Sequence, residues 1–111
     1  MELSKETEIY DSLVQELRRG TIVLSVLSQL EEPQYGYSLV TLLDEKGLSI
    51  EPSTLYPLLR RLEKQKLLVS HWDTEGTKPR KYYELSELGK KVYKRLCDHW
   101  FDMVKTMNNL I

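Results

Sequence analysis

A mainly α fold with a small β hairpin and a long C-terminal helix is what this 111-residue chain predicts. Three observations carry that reading. Apolar residues recur at helical spacing up to Leu62. Two short β-prone segments then flank a polar loop around Gly76. Residues 87–111, opened by Ser86, carry apolar side chains over a wide arc. Periodicity is the primary guide to such elements, and turn residues mark their limits.

Ile9, Leu13, Val14 and Leu17, followed by Ile22, Val23, Leu24, Val26, Leu27 and Leu30, predict one long first helix, amphipathic at its start and buried through its second half. Gly20 lies inside it at a cost of about 1 kcal/mol relative to Ala, and marks either a bend or a close approach by another helix. Glu32-Pro33-Gln34-Tyr35-Gly36 reads as a breaker. A short second helix follows, with Leu39, Leu42 and Leu43 on one face and Gly47 as its C-cap. An extended link, Ser49-Ile50-Glu51-Pro52, leads on.

Pro52 suits the first position of a third helix, where a missing N–H costs nothing. Leu55, Leu58, Leu59 and Leu62 form its buried stripe. At 100° per residue, Ser53, Pro57, Arg60 and Lys64 fall on the opposite side, with Tyr56 and Arg61 flanking them. Pro57 sits in the helix interior, where it costs about 3 kcal/mol, so a specific geometry has to justify it.

Leu67-Leu68-Val69-Ser70-His71-Trp72 and Lys81-Tyr82-Tyr83-Glu84-Leu85 read as strands joined by the polar loop Asp73–Arg80. Tyr82 and Tyr83 alternate, so one faces the core and the other faces out, while Trp72 reads as a packing partner. Ser86 caps the last helix, with Glu87 well placed in its first turn. That helix carries Val92, Leu96, Trp100, Val104 and Met107 on an arc too broad for one neighbour.

The length fits a single domain, residues 1–111, with a head to about residue 86 and a helix over 87–111. No apolar run approaches the roughly 20 residues of a membrane span. The N-terminus is acidic and polar, unlike a signal peptide, so a cytoplasmic location is expected. The single cysteine, Cys97, has no ligand-spaced neighbour and reads as a small buried hydrophobe. His71 and His99 lie apart, no nucleophile–base set stands out, and neither a metal nor another cofactor is expected.

The formal net charge of −1 hides an uneven layout. Residues 1–17 and 31–51 each hold five acids against one base, whereas residues 53–82 hold seven bases against three acids. That local surplus is either a phosphate-binding face or a solvated charged surface. Order decides between them. Three helices followed by a basic hairpin make a winged helix-turn-helix, in which the third helix enters the major groove of double-stranded DNA. Ser53, Thr54, Tyr56, Arg60, Arg61 and Lys64 supply donors for that groove, and Lys78, Arg80 and Lys81 supply cations for phosphates. Tyr56 has a second reading, as a brace for the wing. A winged helix can also be a protein–protein adaptor without DNA binding, although an adaptor has no need of cations on both elements.

Three motifs resemble one family. Gln34-Tyr35-Gly36-Tyr37-Ser38-Leu39 is similar to its G-Y-x-I/L start of the second helix. Ser53-Thr54-Leu55-Tyr56-Pro57-Leu58-Leu59-Arg60-Arg61-Leu62-Glu63 resembles its T-L-Y-P-x-L-x-R-L-E helix. Pro79-Arg80-Lys81-Tyr82-Tyr83-Glu84-Leu85-Ser86-Glu87-Leu88-Gly89 resembles its P-R-K/R-Y-Y-x-L-S/T-x-x-G wing. These are motifs of the PadR family of transcription regulators, and the likeness runs from about Arg19 to Leu96. Glu51 stands where relatives place a small hydroxyl or amide residue, and Thr77-Lys78-Pro79 lacks the glycine that commonly precedes the proline. The resemblance implies a homodimer built from the last helix and the first, acting as a repressor that a small molecule or stress signal releases. It also implies the short-tailed subfamily, some of whose members stack planar aromatic or cationic effectors on a tryptophan of the last helix. Leu96, Trp100, Met103, Val104 and Met107 mark that pocket here. The alternative for Trp100 is ordinary interface packing.

Overall fold

Leucine stripes from three helices meet under a small sheet, and that meeting defines the architecture. The computed structural model describes residues 2–111, with side chains described from residue 4 onward; Met1, part of the polar N-terminus, lies outside the described residues. Its elements are α1 (Glu2–Arg19), α2 (Ile22–Ser28), β1 (Gln34–Tyr35), α3 (Gly36–Glu45), α4 (Pro52–Lys64), β2 (Leu68–Asp73), β3 (Arg80–Leu85) and α5 (Glu87–Leu110). Val26, Leu27 and Leu30 interlock with Leu39 and Leu43 of α3 and with Leu55, Leu59 and Leu62 of α4. Leu68, Tyr83 and Leu85 close this core from the sheet.

Two expectations need correcting. The single long first helix is two helices. The Thr21 N–H and hydroxyl both donate to the Arg18 carbonyl, at 3.0 and 2.8 Å, and the chain turns there before α2 begins. A Cβ on Gly20 would meet nothing within 4 Å, so this glycine marks a bend and not a close approach. The expected hairpin stands as β2 and β3, and a third strand extends it to an antiparallel sheet in the order β1–β3–β2. The segment read as a breaker supplies β1, pairing Gln34 with Tyr83 and Tyr35 with Tyr82. Pro33 and Gly36 bracket only two residues, too few to display alternation. Leu58, assigned to the buried stripe of α4, is half-buried at its edge.

Close backbone packing joins α5 to the head. Lys66 takes the left-handed conformation, φ 67°, usually given to glycine after a helix, and Leu67 N–H closes the turn on the Leu62 carbonyl at 3.0 Å. Ser86 Oγ accepts the Gly89 N–H at 2.9 Å and donates to the Lys66 carbonyl at 2.6 Å. A Cβ on Gly89 would collide with the Leu67 carbonyl, so only glycine lets α5 start here. Tyr93 of α5 packs against the core and Trp100 still faces α2, whereas Met103 and Met107 farther along are exposed, as are Ile9, Leu13 and Leu17 of α1. Among the described residues no helix is long and apolar enough to cross a membrane.

Candidate nucleic-acid interface

The outer side of α4 presents Ser53, Thr54, Tyr56, Arg60, Arg61 and Lys64, all exposed, while Leu55, Leu59 and Leu62 face the core. The helix runs unbroken through Pro57. The bond that Pro57 cannot make is to the carbonyl of Ser53, which lies on the same exposed face, where water reaches it. Tyr56 is 38% exposed. Its ring lies against Gly36, where a Cβ would collide with it, so it braces α4 against the start of α3. Glu51 caps α4 with extended backbone but makes no side-chain capping bond.

The wing sorts its cations by strand alternation. Lys78 and Arg80 are exposed. Lys81 points to the core side of the sheet, with Nζ 3.0 Å from Glu63 Oε1 of α4 and 5.0 Å from the Tyr83 ring centroid. Lys81 is therefore separated from the other expected DNA-facing cations. Glu63 also accepts the Ser70 hydroxyl. That hydrogen bond, and then Lys81, hold the Glu63 carboxyl below its ordinary 4.5 against a partial burial penalty. The same pairing raises the Lys81 ammonium above its ordinary 10.5. Glu63 escaped the sequence reading, although it is the single acid within α4 and stands among Arg60, Arg61 and Lys64.

On the opposite side of β3, Arg80 lies over the Tyr35 ring, 4.5 Å from its centroid. Behind it runs a cross-strand aromatic row. Tyr35 meets Tyr82 edge-on at 5.4 Å, and Tyr82 stacks on His71 at 5.6 Å. Trp72, expected as a packing partner, is 62% exposed. It pairs with Lys81, one step beyond the Ser70–Tyr83 pair, where the core beneath the sheet has ended.

A second feature lies away from the wing. Thr21, Leu24 and Ser25 face Tyr93, Cys97 and Trp100 of α5 across a cleft of about 430 Å³. Of the five residues expected to line a pocket, Trp100 lines this cleft; Leu96, Met103 and Met107 are exposed on α5 and Val104 is half-buried. Cys97, expected as a buried hydrophobe, is half-buried in the cleft wall. The Tyr93 phenol is pushed up to about 12, chiefly by its hydrogen bond with Cys97 and then by burial. Among the described residues, no His, Cys, Asp and Glu cluster could hold a metal ion.

Comparison with known proteins fits this geometry. The model of the transcriptional regulator PadR-like family matches residues 23–95. A PadR family transcriptional regulator from Eggerthella lenta DSM 2243 has a similar structure, with a TM-score of 0.91 and 48% identity over 96% of both chains. A transcriptional regulator from Clostridium thermocellum gives 0.76 at 32% identity, over 86% of this chain and 98% of that one. PadR from Bacillus subtilis, solved in complex with operator DNA, shares the fold with a TM-score of 0.62 at 24% identity, over 67% of this chain and 44% of that one.

Proposed function

Because the chain belongs to the PadR-like family of transcriptional regulators, we propose that it is a cytoplasmic repressor whose α4 reads the major groove while its wing holds the flanking phosphates. The observation that carries this is the shared exposure of Ser53, Thr54, Tyr56, Arg60, Arg61 and Lys64 on α4 and of Lys78 and Arg80 on the wing. Arg and Lys on such surfaces neutralise phosphates and release counterions. Lys81 has a different part, since its pairing with Glu63 ties the wing to α4. Gel-shift titration against the protein's own upstream DNA at two salt concentrations tests the assignment. Arg60→Ala and Arg80→Ala each weaken binding, and each lost phosphate contact flattens the log–log salt slope by about one unit. Unchanged binding in both variants overturns it.

The acting unit is a single domain that works as a homodimer of the short-tailed type. Two exposed apolar stripes support this, Ile9, Leu13 and Leu17 on α1 and Leu96, Trp100, Met103 and Met107 on α5. A two-fold axis through α5 sets the recognition helices about 34 Å apart, one turn of DNA. The releasing signal is a planar aromatic or cationic molecule stacked on Trp100. The cleft beneath Trp100 supports that reading, as do Asp98 and Asp102 next to it in sequence. Trp72→Phe leaves Trp100 as the one tryptophan in the chain. A saturating planar aromatic cation then quenches its emission, and unchanged emission leaves Trp100 as interface packing alone.

A further inference from the structure

The geometry points to Tyr35 as the positioning residue for the wing's arginine: its ring holds the Arg80 guanidinium in place for the phosphate contact, so that β1 sets where the wing's charge sits. The inference rests on the assignment of Arg80 to the DNA face. Arginine has long rotamer freedom, and ordering it on binding opposes association. A guanidinium already stacked on an aromatic face loses less, because the planar group keeps its N–H edges free while its face is occupied. Here the guanidinium carbon stands 4.5 Å from the Tyr35 centroid, within the range of a cation–π contact.

Tyr35 is held by its backbone and by its ring. Tyr35 pairs with Tyr82 in the sheet register. The Tyr35 N–H donates to Ser38 Oγ at 3.1 Å, in the first turn of α3. Its ring meets Tyr82 edge-on, and His71 stacks behind Tyr82. The row Tyr35–Tyr82–His71 crosses all three strands and ends at Arg80, so the place of one exposed guanidinium depends on a residue 45 positions earlier in the chain. Among the described residues Arg80 makes no ion pair with a carboxylate, which leaves its charge for the phosphate. The adjacent Lys81 has spent its charge on Glu63.

The test uses the full chain and a fluorescein-labelled mixed-sequence duplex, because phosphate contacts do not depend on sequence. Anisotropy titrations compare the parent with Tyr35→Phe, Tyr35→Leu, Arg80→Ala and the Tyr35→Leu/Arg80→Ala pair, with thermal melts reporting the fold of each. Tyr35→Leu weakens binding about two- to five-fold, the range expected for losing an exposed cation–π contact. Tyr35→Phe, which keeps the π face and loses the hydroxyl, binds like the parent. In the Arg80→Ala background, Tyr35→Leu adds no further loss. Parent-like binding by Tyr35→Leu alongside weakened Arg80→Ala overturns the inference and leaves the DNA face standing. Full additivity of the two substitutions, or a Tyr35→Phe as weak as Tyr35→Leu, overturns it as well. Parent-like binding by Arg80→Ala instead removes Arg80 from the DNA face, and the inference falls with that assignment.

Discussion

Leu55, Leu59 and Leu62 on α4 and Leu96, Trp100 and Met103 on α5 repeat at the same spacing, four residues and then three. The first set is almost wholly buried and the second is exposed. In α4 the stripe meets α2, α3 and the sheet within one chain. In α5 only Trp100 faces α2, across a cleft, and Leu96 and Met103 are exposed. Helical periodicity states which face of a helix is apolar, but it does not say whose surface will cover it. The contrast divides the molecule into a head that completes its own core and two terminal helices with exposed apolar faces, the faces that the proposed homodimer would bury.

The largest effect that sharpens this contrast comes from the same kind of truncation made in each half. Leu59→Ala in the head costs about 2–5 kcal/mol, read as a lower midpoint in urea unfolding. Leu96→Ala leaves the head intact and shifts the sedimentation equilibrium towards monomer. Equal losses of head stability from the two substitutions, or a parent that sediments as a stable monomer at micromolar concentration, break the comparison.

A smaller effect separates the halves by pH. The Glu63 carboxyl is held below its ordinary 4.5 by the Ser70 hydroxyl and then by Lys81, all within the head. Its stabilisation is fully present above pH 4.5 and is lost as pH falls through its lower folded value. Partly exposed pairs are worth about 0.2–1 kcal/mol, so Glu63→Gln lowers the melting temperature modestly at pH 7. The gap to the parent narrows as the solution is acidified through that range. On the alkaline side, the Lys81 contribution is present below pH 10.5 and is lost as pH rises through its raised value. A gap that stays constant from pH 7 to pH 3 shows that the carboxylate contributes nothing.

The elements that could be read from the sequence are those whose signal is local. α4 was legible because Pro52, the leucine stripe and the polar opposite face lie within 13 residues. The Ser86 cap was legible because its partner, Gly89, is three residues away. β1 was not, because a two-residue strand shows no period and takes its identity from β3, nearly fifty residues later. The break at Gly20 was hidden because Leu17 and Ile22 continue an apolar run across it, while the turn that Thr21 closes on the Arg18 carbonyl leaves no mark in that pattern. Within the candidate site, Arg60 and Arg80 announced themselves by charge. Glu63, Tyr35 and the inward turn of Lys81 depend on pairings 18 or more residues apart, and no window along the chain contains them.

Adjacent residues on β3 are fastened to different halves of the helix-turn-helix, Arg80 to Tyr35 at the start of α3 and Lys81 to Glu63 on α4. This places a rule on how such a chain can vary over evolutionary time. Insertions or deletions within residues 74–79 lengthen or shorten the loop and leave both fastenings alone. A one-residue insertion or deletion inside β3 exchanges its two faces. It would carry a guanidinium under the sheet towards Glu63, turn Lys81 outward to the aromatic row, and bring Tyr82 in where Tyr83 fills the core. Length is free in the loop and fixed in the strand, so the parity of β3 keeps one cation outside and the other within.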